Sequence, residues 1–355
     1  MKSKFTPSLL ALLASTFLSA AHAQSSATIY GIADLGVRHS NGLDAAYAPT
    51  PASVNALGSG INTTSRLGYR GVEDLGGGLR AEFNFESGLN VDSGTFNSKF
   101  FDRASIVGLS GGWGKVTAGR QTTLLADALG TIDPLNSRFA SFNPNVQIAA
   151  LSGHKLGLEY GPAGASSGSY RLDNSVKYAV QNGGLTARAM YGFGEQVGSS
   201  QKLSSQGASV DYARANYAAS LAYSEFKTVN NLSLKAWLTG LRTQVGGAKL
   251  YLSWGTHDAQ TTTTATTTNQ TLAAGVQYPI SSALNLIVSQ YKVDRSRTGL
   301  SKDGFDRTIA FLEYSLSKRS TLYAELDNTR WRNNYQGTGN ASTGTGMSVG
   351  LKHAF

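Results

Sequence analysis

Apolar and polar residues alternate in short runs along most of this chain. In "TIYGIADLGVR" (28–38), Ile29, Gly31, Ala33, Leu35 and Val37 share one parity, and Thr28, Tyr30, Asp34 and Arg38 the other. "LRAEFNFESGL" (79–89) sets Leu79, Ala81, Phe83 and Phe85 against Arg80, Glu82, Asn84 and Glu86. "TIAFLEYSLS" (308–317), "TLYAELDNTRW" (321–331) and the closing "MSVGLKHAF" (347–355) repeat the pattern. A period of two predicts strands with one apolar face, and runs of roughly nine to eleven residues suit strands that cross a bilayer at a tilt. Beyond the N-terminal region no run of 18 apolar residues occurs, so the pattern offers no spanning helix.

The joints alternate as well. Short turns at 73–78, 111–114, 181–184, 213–216, 246–248, 281–283 and 317–320 take turns with longer polar stretches at 39–63, 90–102, 121–170, 195–206, 227–232, 259–270, 295–307 and 332–346. Antiparallel strands with tight turns on one rim and loops on the other give this rhythm. It divides the chain into sixteen strands: 28–38, 65–73, 79–89, 103–110, 115–120, 171–180, 185–194, 207–213, 217–226, 233–245, 250–258, 271–280, 284–294, 308–317, 321–331 and 347–355. An even number brings the first and last strands to the same rim. An open edge in lipid would leave backbone groups unsatisfied, so the strand ending at Phe355 is expected to close onto the first. The predicted fold is all-β: a 16-stranded antiparallel transmembrane β-barrel, a size that leaves an aqueous channel.

Composition sharpens this picture. Lys2 and Lys4, an apolar run from Leu9 to Ala20 and Ala21-His22-Ala23 read as a signal peptide over 1–23, with the barrel occupying 24–355. The chain has no cysteine, so an exported product relies on burial and closed hydrogen bonding rather than disulfides. Its formal charge of +9 falls to +7 without Lys2 and Lys4. Export and the dispersed basic residues argue against a nucleic-acid partner. The 41 glycines and 7 prolines suit many strands joined by tight turns.

Several blocks resemble one family. "QSSATIYGIADLGV" (24–37), "TSRLGYRGVEDLGGGLRAEFNFESG" (64–88), "RASIVGLSGGWGKVTAGRQ" (103–121), "RLDNSVKY" (171–178) and "VGLKHAF" (349–355) are similar, in order, to the general porins of Gram-negative bacteria, specifically the beta-proteobacterial and neisserial type. The resemblance implies a homotrimer in the outer membrane, in contact with lipid and lipopolysaccharide. It implies a third extracellular loop folded into the lumen, here 121–170. It also implies that Phe355 is read by the outer-membrane insertion machinery. No cofactor or metal is implied. The implied function is passive diffusion of ions and small hydrophilic solutes; the excess of arginine among the candidate pore residues points to a mild anion preference. A substrate-specific channel for a sugar or organic anion is the alternative.

A channel of this kind does no covalent chemistry; fixed charges at its narrow point set what passes. On the lipid face a charge would cost about 2–4 kcal/mol for Arg or Lys near the midplane, so Arg66, Arg70, Glu82 and Glu86 should face water. The family's basic cluster falls on Arg66, Arg103 and Arg171, and its acidic counterpart on Glu86 and on Asp127 or Asp133. Arg38, Arg70, Arg120 and Arg138 are further constriction candidates. Arg120 shares the parity of Val116 and Ala118, so it reaches the lumen only if its strand has already ended. Trp113, Trp237, Trp254 and Trp331 are candidates for girdles at the membrane interfaces. His39, His154, His257 and His353 belong to no local nucleophile motif, which speaks against an enzyme. A soluble secreted binding protein would not need the unbroken alternation of joints.

Overall fold

The computed structural model describes residues 26–44, 48–96, 99–135 and 170–355. The expected signal peptide and Arg138 lie outside them. In chain order the described strands are β1 (Ser26–Leu43), β2 (Pro49–Ser59), β3 (Arg66–Gly76), β4 (Leu79–Asn90), β5 (Thr95–Phe96), β6 (Ala104–Gly111), β7 (Gly114–Thr122), β8 (Arg171–Asn182) and β9 (Leu185–Gly192). They continue with β10 (Ser205–Ala213), β11 (Tyr217–Lys227), β12 (Ser233–Val245), β13 (Ala248–Gln260), β14 (Thr266–Pro279), β15 (Leu284–Arg297), β16 (Asp303–Ser315), β17 (Ser320–Arg332) and β18 (Thr343–Ala354). A helix, α1 (Leu124–Ile132), follows β7.

Neighbouring strands are antiparallel and the sheet closes. β1 pairs with β18 from Ile32↔Ala354 to Asn41↔Thr345. Gly31 and Phe355 then exchange both backbone hydrogen bonds at 3.1 Å. The other edge of β1 is shared: β2 pairs along its far half (Leu35↔Ser59) and β3 along its near half (Ile32↔Arg66). β2 and β3 therefore fill one place in the wall, and β5 pairs only with the end of β4. The wall has sixteen places, as the joints predicted.

Boundaries differ where the strands rise above the apolar band. Residues 39–63, expected as a loop, carry the end of β1 and all of β2. Likewise β14 begins at Thr266 within "TTTTATTT". Out of lipid neither face needs to be apolar, so the ladder continues after the period-two signal has gone.

Burial is inverted relative to a water-soluble core. Val37, Leu221, Leu252, Leu272, Leu312, Leu326 and Val349 are exposed, whereas Asp34, Arg38, Ser220, Ser253, Thr271, Asp327 and Ser348 are buried. The apolar set lies on the outer face of consecutive strands. So extensive an exposed apolar surface marks contact with lipid.

Inward-pointing apolar residues mark where the chain turns inside. Ala222 and Phe226 of β11 and Leu234, Ala236 and Leu238 of β12 alternate with the outward Leu221, Tyr223 and Trp237. They form one buried cluster with Leu124, Leu125, Ala128, Leu129 and Ile132 of α1. Thr123 caps the helix, its hydroxyl accepting from the Ala126 N–H at 3.3 Å. Beyond it, Gln277 of β14 donates to the Pro134 carbonyl, and Tyr291 of β15 donates to Asp133 Oδ1 at 2.8 Å. Residues 123–135 thus follow the inner wall from β9 toward β16. The candidate loop also contains structure of its own, in the form of α1. The course of 136–169 lies outside the described residues.

Candidate channel interior

Strand register builds the first charged cluster. Glu86 lies opposite Gly68 on β3, close to Arg66 at the start of that strand. The Arg103 N–H donates to the Glu86 carbonyl at 3.0 Å, which sets the two side chains side by side. Arg103 Nε lies 2.5 Å from Glu86 Oε1, and Arg66 Nε 3.7 Å from Oε2. Tyr30 Oη is 2.9 Å from both Glu86 and Asn84. Arg171 stacks over the Tyr170 ring at 4.2 Å and donates to its hydroxyl at 3.3 Å. The four residues expected together, Arg66, Arg103, Arg171 and Glu86, do meet within electrostatic range. Three guanidiniums lie around Glu86, and Asp102 is also within electrostatic range of Arg103, so bases exceed acids by one. Burial would raise the Tyr170 phenol, but Arg171, Arg103 and Arg66 outweigh it and hold it down at about 8.

A second cluster joins α1 to the wall. Asp127 Oδ2 lies 2.7 Å from Lys177 Nζ and 4.0 Å from Arg188 Nε, and Thr122 donates to Oδ1 at 2.7 Å. Arg188 also pairs with Asp211, which accepts from Ser220 at 2.5 Å. Two acids and two bases cancel here. Between the clusters lies a cavity of about 700 Å³ whose lining includes Arg103, Lys115, Arg171, Lys177 and Arg188 as bases and Glu86 and Asp127 as acids. Lys115 pairs in turn with Glu82 and Arg188 with Asp211, so the excess positive charge of the lining rests on Arg103 and Arg171 beside Glu86.

Other sequence candidates go elsewhere. Asp133 is held by Tyr291 on the far wall. Arg38 is buried between Glu325 (2.9 Å) and Asp327 (2.6 Å), so it braces the seam of β1, β17 and β18 rather than joining the cluster. Arg70 is exposed, with its guanidinium 4.9 Å from the Tyr30 ring centre. Arg120 does not reach the cluster by its strand ending, because β7 runs on to Thr122. The ladder is irregular between Gly119 and Gln121, with Gly119 at φ +123°. Arg120 is in register with Ser105 and bonds to the Asp102 carbonyl and Asp173, both at 2.6 Å. Trp113, Trp237 and Trp254 are exposed, but Trp331 faces inward and is buried with Leu43, Val293 and Phe305. Lys115, Lys177, Arg188 and Tyr170 were not foreseen. Lys177 was legible, since it stands between the outward Val176 and Tyr178.

A sequence profile of the Gram-negative porins matches residues 9–334. The chain is 35% identical over 227 residues to outer membrane porin protein 32 of Delftia acidovorans, a match covering 62% of this chain and 60% of that protein's length. It is 28% identical over 352 residues to the major outer membrane protein P.IB of Neisseria meningitidis serogroup B, covering 94% and 95%. Among solved structures, the anion-selective porin from Comamonas acidovorans superposes with a TM-score of 0.75 at 27% identity, covering 94% of this chain and all of that one. The closed sixteen-place barrel superposes on that porin over nearly its whole length, and the chain belongs to the Gram-negative porin family.

Proposed function

We propose that this protein is a general diffusion channel of the Gram-negative outer membrane, passing ions and small hydrophilic solutes with a preference for anions. The observation that carries the preference is the gathering of Arg66, Arg103 and Arg171 around Glu86 at the cavity, where bases outnumber acids. Fixed charges in a narrow, partly desolvated space are screened less than in bulk water, so the lining concentrates anions and repels cations. The 27%-identical neighbour described as anion-selective supports the same reading. Opposed acid and base pairs such as Asp127 with Lys177 add a transverse field that orients dipolar solutes.

We also infer a homotrimer. On the outer face Ala27, Gly71, Phe83, Val107 and Ala118 line a depression of about 870 Å³ whose small residues leave room for a neighbouring barrel. Phe355 serves as the signal for insertion, besides closing the seam. Liposome swelling tests the channel reading. Uncharged sugars should enter at rates that fall smoothly with size, and small organic anions faster than cations of equal size. Saturable entry of one sugar or anion alone would instead mean a substrate-specific channel.

A further inference from the structure

The chain turns into the lumen a second time, at 60–65, where the place shared by β2 and β3 is broken. Asp34 of β1 holds this turn. Its Oδ2 accepts the N–H groups of Asn62 (2.7 Å) and Thr63 (2.5 Å), and its Oδ1 accepts the Tyr323 hydroxyl at 2.6 Å. The gap in the ladder is patched: the Asp34 N–H donates to Ser65 Oγ and the Gly60 N–H to the Asp34 carbonyl, both at 2.9 Å. Lipid could not satisfy those groups.

Every side-chain partner of the turn faces inward. Asn62 donates to Glu313 at 2.6 Å and accepts from Lys352 at 3.1 Å. Glu313, Tyr323 and Lys352 alternate with the outward Leu312, Leu322 and Leu351. Ile61 is 8% exposed and belongs to one apolar cluster with Leu135, Ile287, Phe311 and Tyr323. Gly36 makes space for it: a Cβ there would lie 2.7 Å from Tyr323 Oη and 3.1 Å from Ile61 Cδ1.

Residues 123–135 cover the inner wall from β9 toward β16, and the turn covers β16, β17, β18 and β1. The wall left between them, from β3 to β8, carries Arg66, Arg103 and Arg171, and Asp127 of α1 reaches only its margin at Lys177. The residue after Ser65 is Arg66. We infer that 60–65 is a second, fixed constriction element, locked by Asp34, which confines passage to the arginine-lined wall and sets Arg66 in place. Asp34 is thus a positioning residue for selectivity. This rests on the channel reading, and a wild-type protein that passes no current would overturn that reading rather than this one.

The cysteine-free chain allows a direct test with reconstituted channels and a charged thiol reagent. Ile61→Cys should react at least about tenfold more slowly than Thr186→Cys, a cavity-lining reference, because a thiol reacts only where it is accessible. Adding Asp34→Ala should erase that protection and lower the anion-to-cation permeability ratio, while Arg66 itself is unchanged. Reaction of Ile61→Cys at the reference rate with Asp34 intact would overturn the inference. So would protection and selectivity both unmoved by Asp34→Ala. Should Asp34→Ala fail to assemble, Tyr323→Phe removes one bond to Asp34 and should raise the reaction rate partway; no rise would count equally against the lock.

Discussion

Arg66→Gln isolates the field of one guanidinium. Glu86 is held mainly by Arg103 at 2.5 Å, with Arg66 at 3.7 Å and 24% exposed, so the charge of Arg66 remains available to a passing ion. At about 5 Å in water-like dielectric a unit charge contributes roughly 0.8 kcal/mol. With a Debye length of about 10 Å at 0.1 M salt, about 0.5 kcal/mol survives. Anions lose that stabilisation and cations are relieved of the same repulsion, so the permeability ratio should fall about fivefold. At 1 M the Debye length is about 3 Å, and the change should be less than about twofold. Reversal potentials of single channels across a KCl gradient, at low and high mean salt, measure both values. An unmoved reversal potential at low salt would refute the reasoning. A shift of equal size at 1 M would mean that Arg66 acts through pore shape rather than charge.

Further expectations rest on other residues. The Tyr170 phenol is neutral below about 8 and anionic above it, so anion preference should decline between pH 7 and pH 9, and Tyr170→Phe should flatten that profile. Arg38→Gln leaves Glu325 and Asp327 buried without their counter-charge, a loss on the order of 3–5 kcal/mol. It should lower the temperature at which the folded barrel loses its compact gel mobility, with selectivity unchanged. Ala118→Trp fills the outer depression and should shift the assembly toward monomers in native electrophoresis, leaving single-barrel conductance intact.

What could be read from the sequence was whatever lipid dictates. Outer positions must be apolar along each crossing, so Leu322, Ala324 and Leu326 reveal both strand and face, and the inward Glu325 and Asp327 follow. Above the band that constraint lapses, and β2 went unseen. The landing sites of inward segments are the reverse case. Ile309 and Phe311 are inward yet apolar because Leu135 and Ile61 belong to the same buried cluster. Apolar residues on both parities of 309–312 were the available sign. Arg66, Arg103, Arg171 and Glu86 came from family motifs, whereas the capture of Arg38 by Glu325 and Asp327 depends on register across a seam nearly 300 residues apart in sequence. Local parity carries no such information.

The most direct test of the whole account is a single-channel recording of the purified wild-type protein in a planar bilayer across a KCl gradient. The account predicts stepwise, ohmic conductance in groups of three and a reversal potential on the anion side. No steps, or a reversal potential on the cation side, would contradict it.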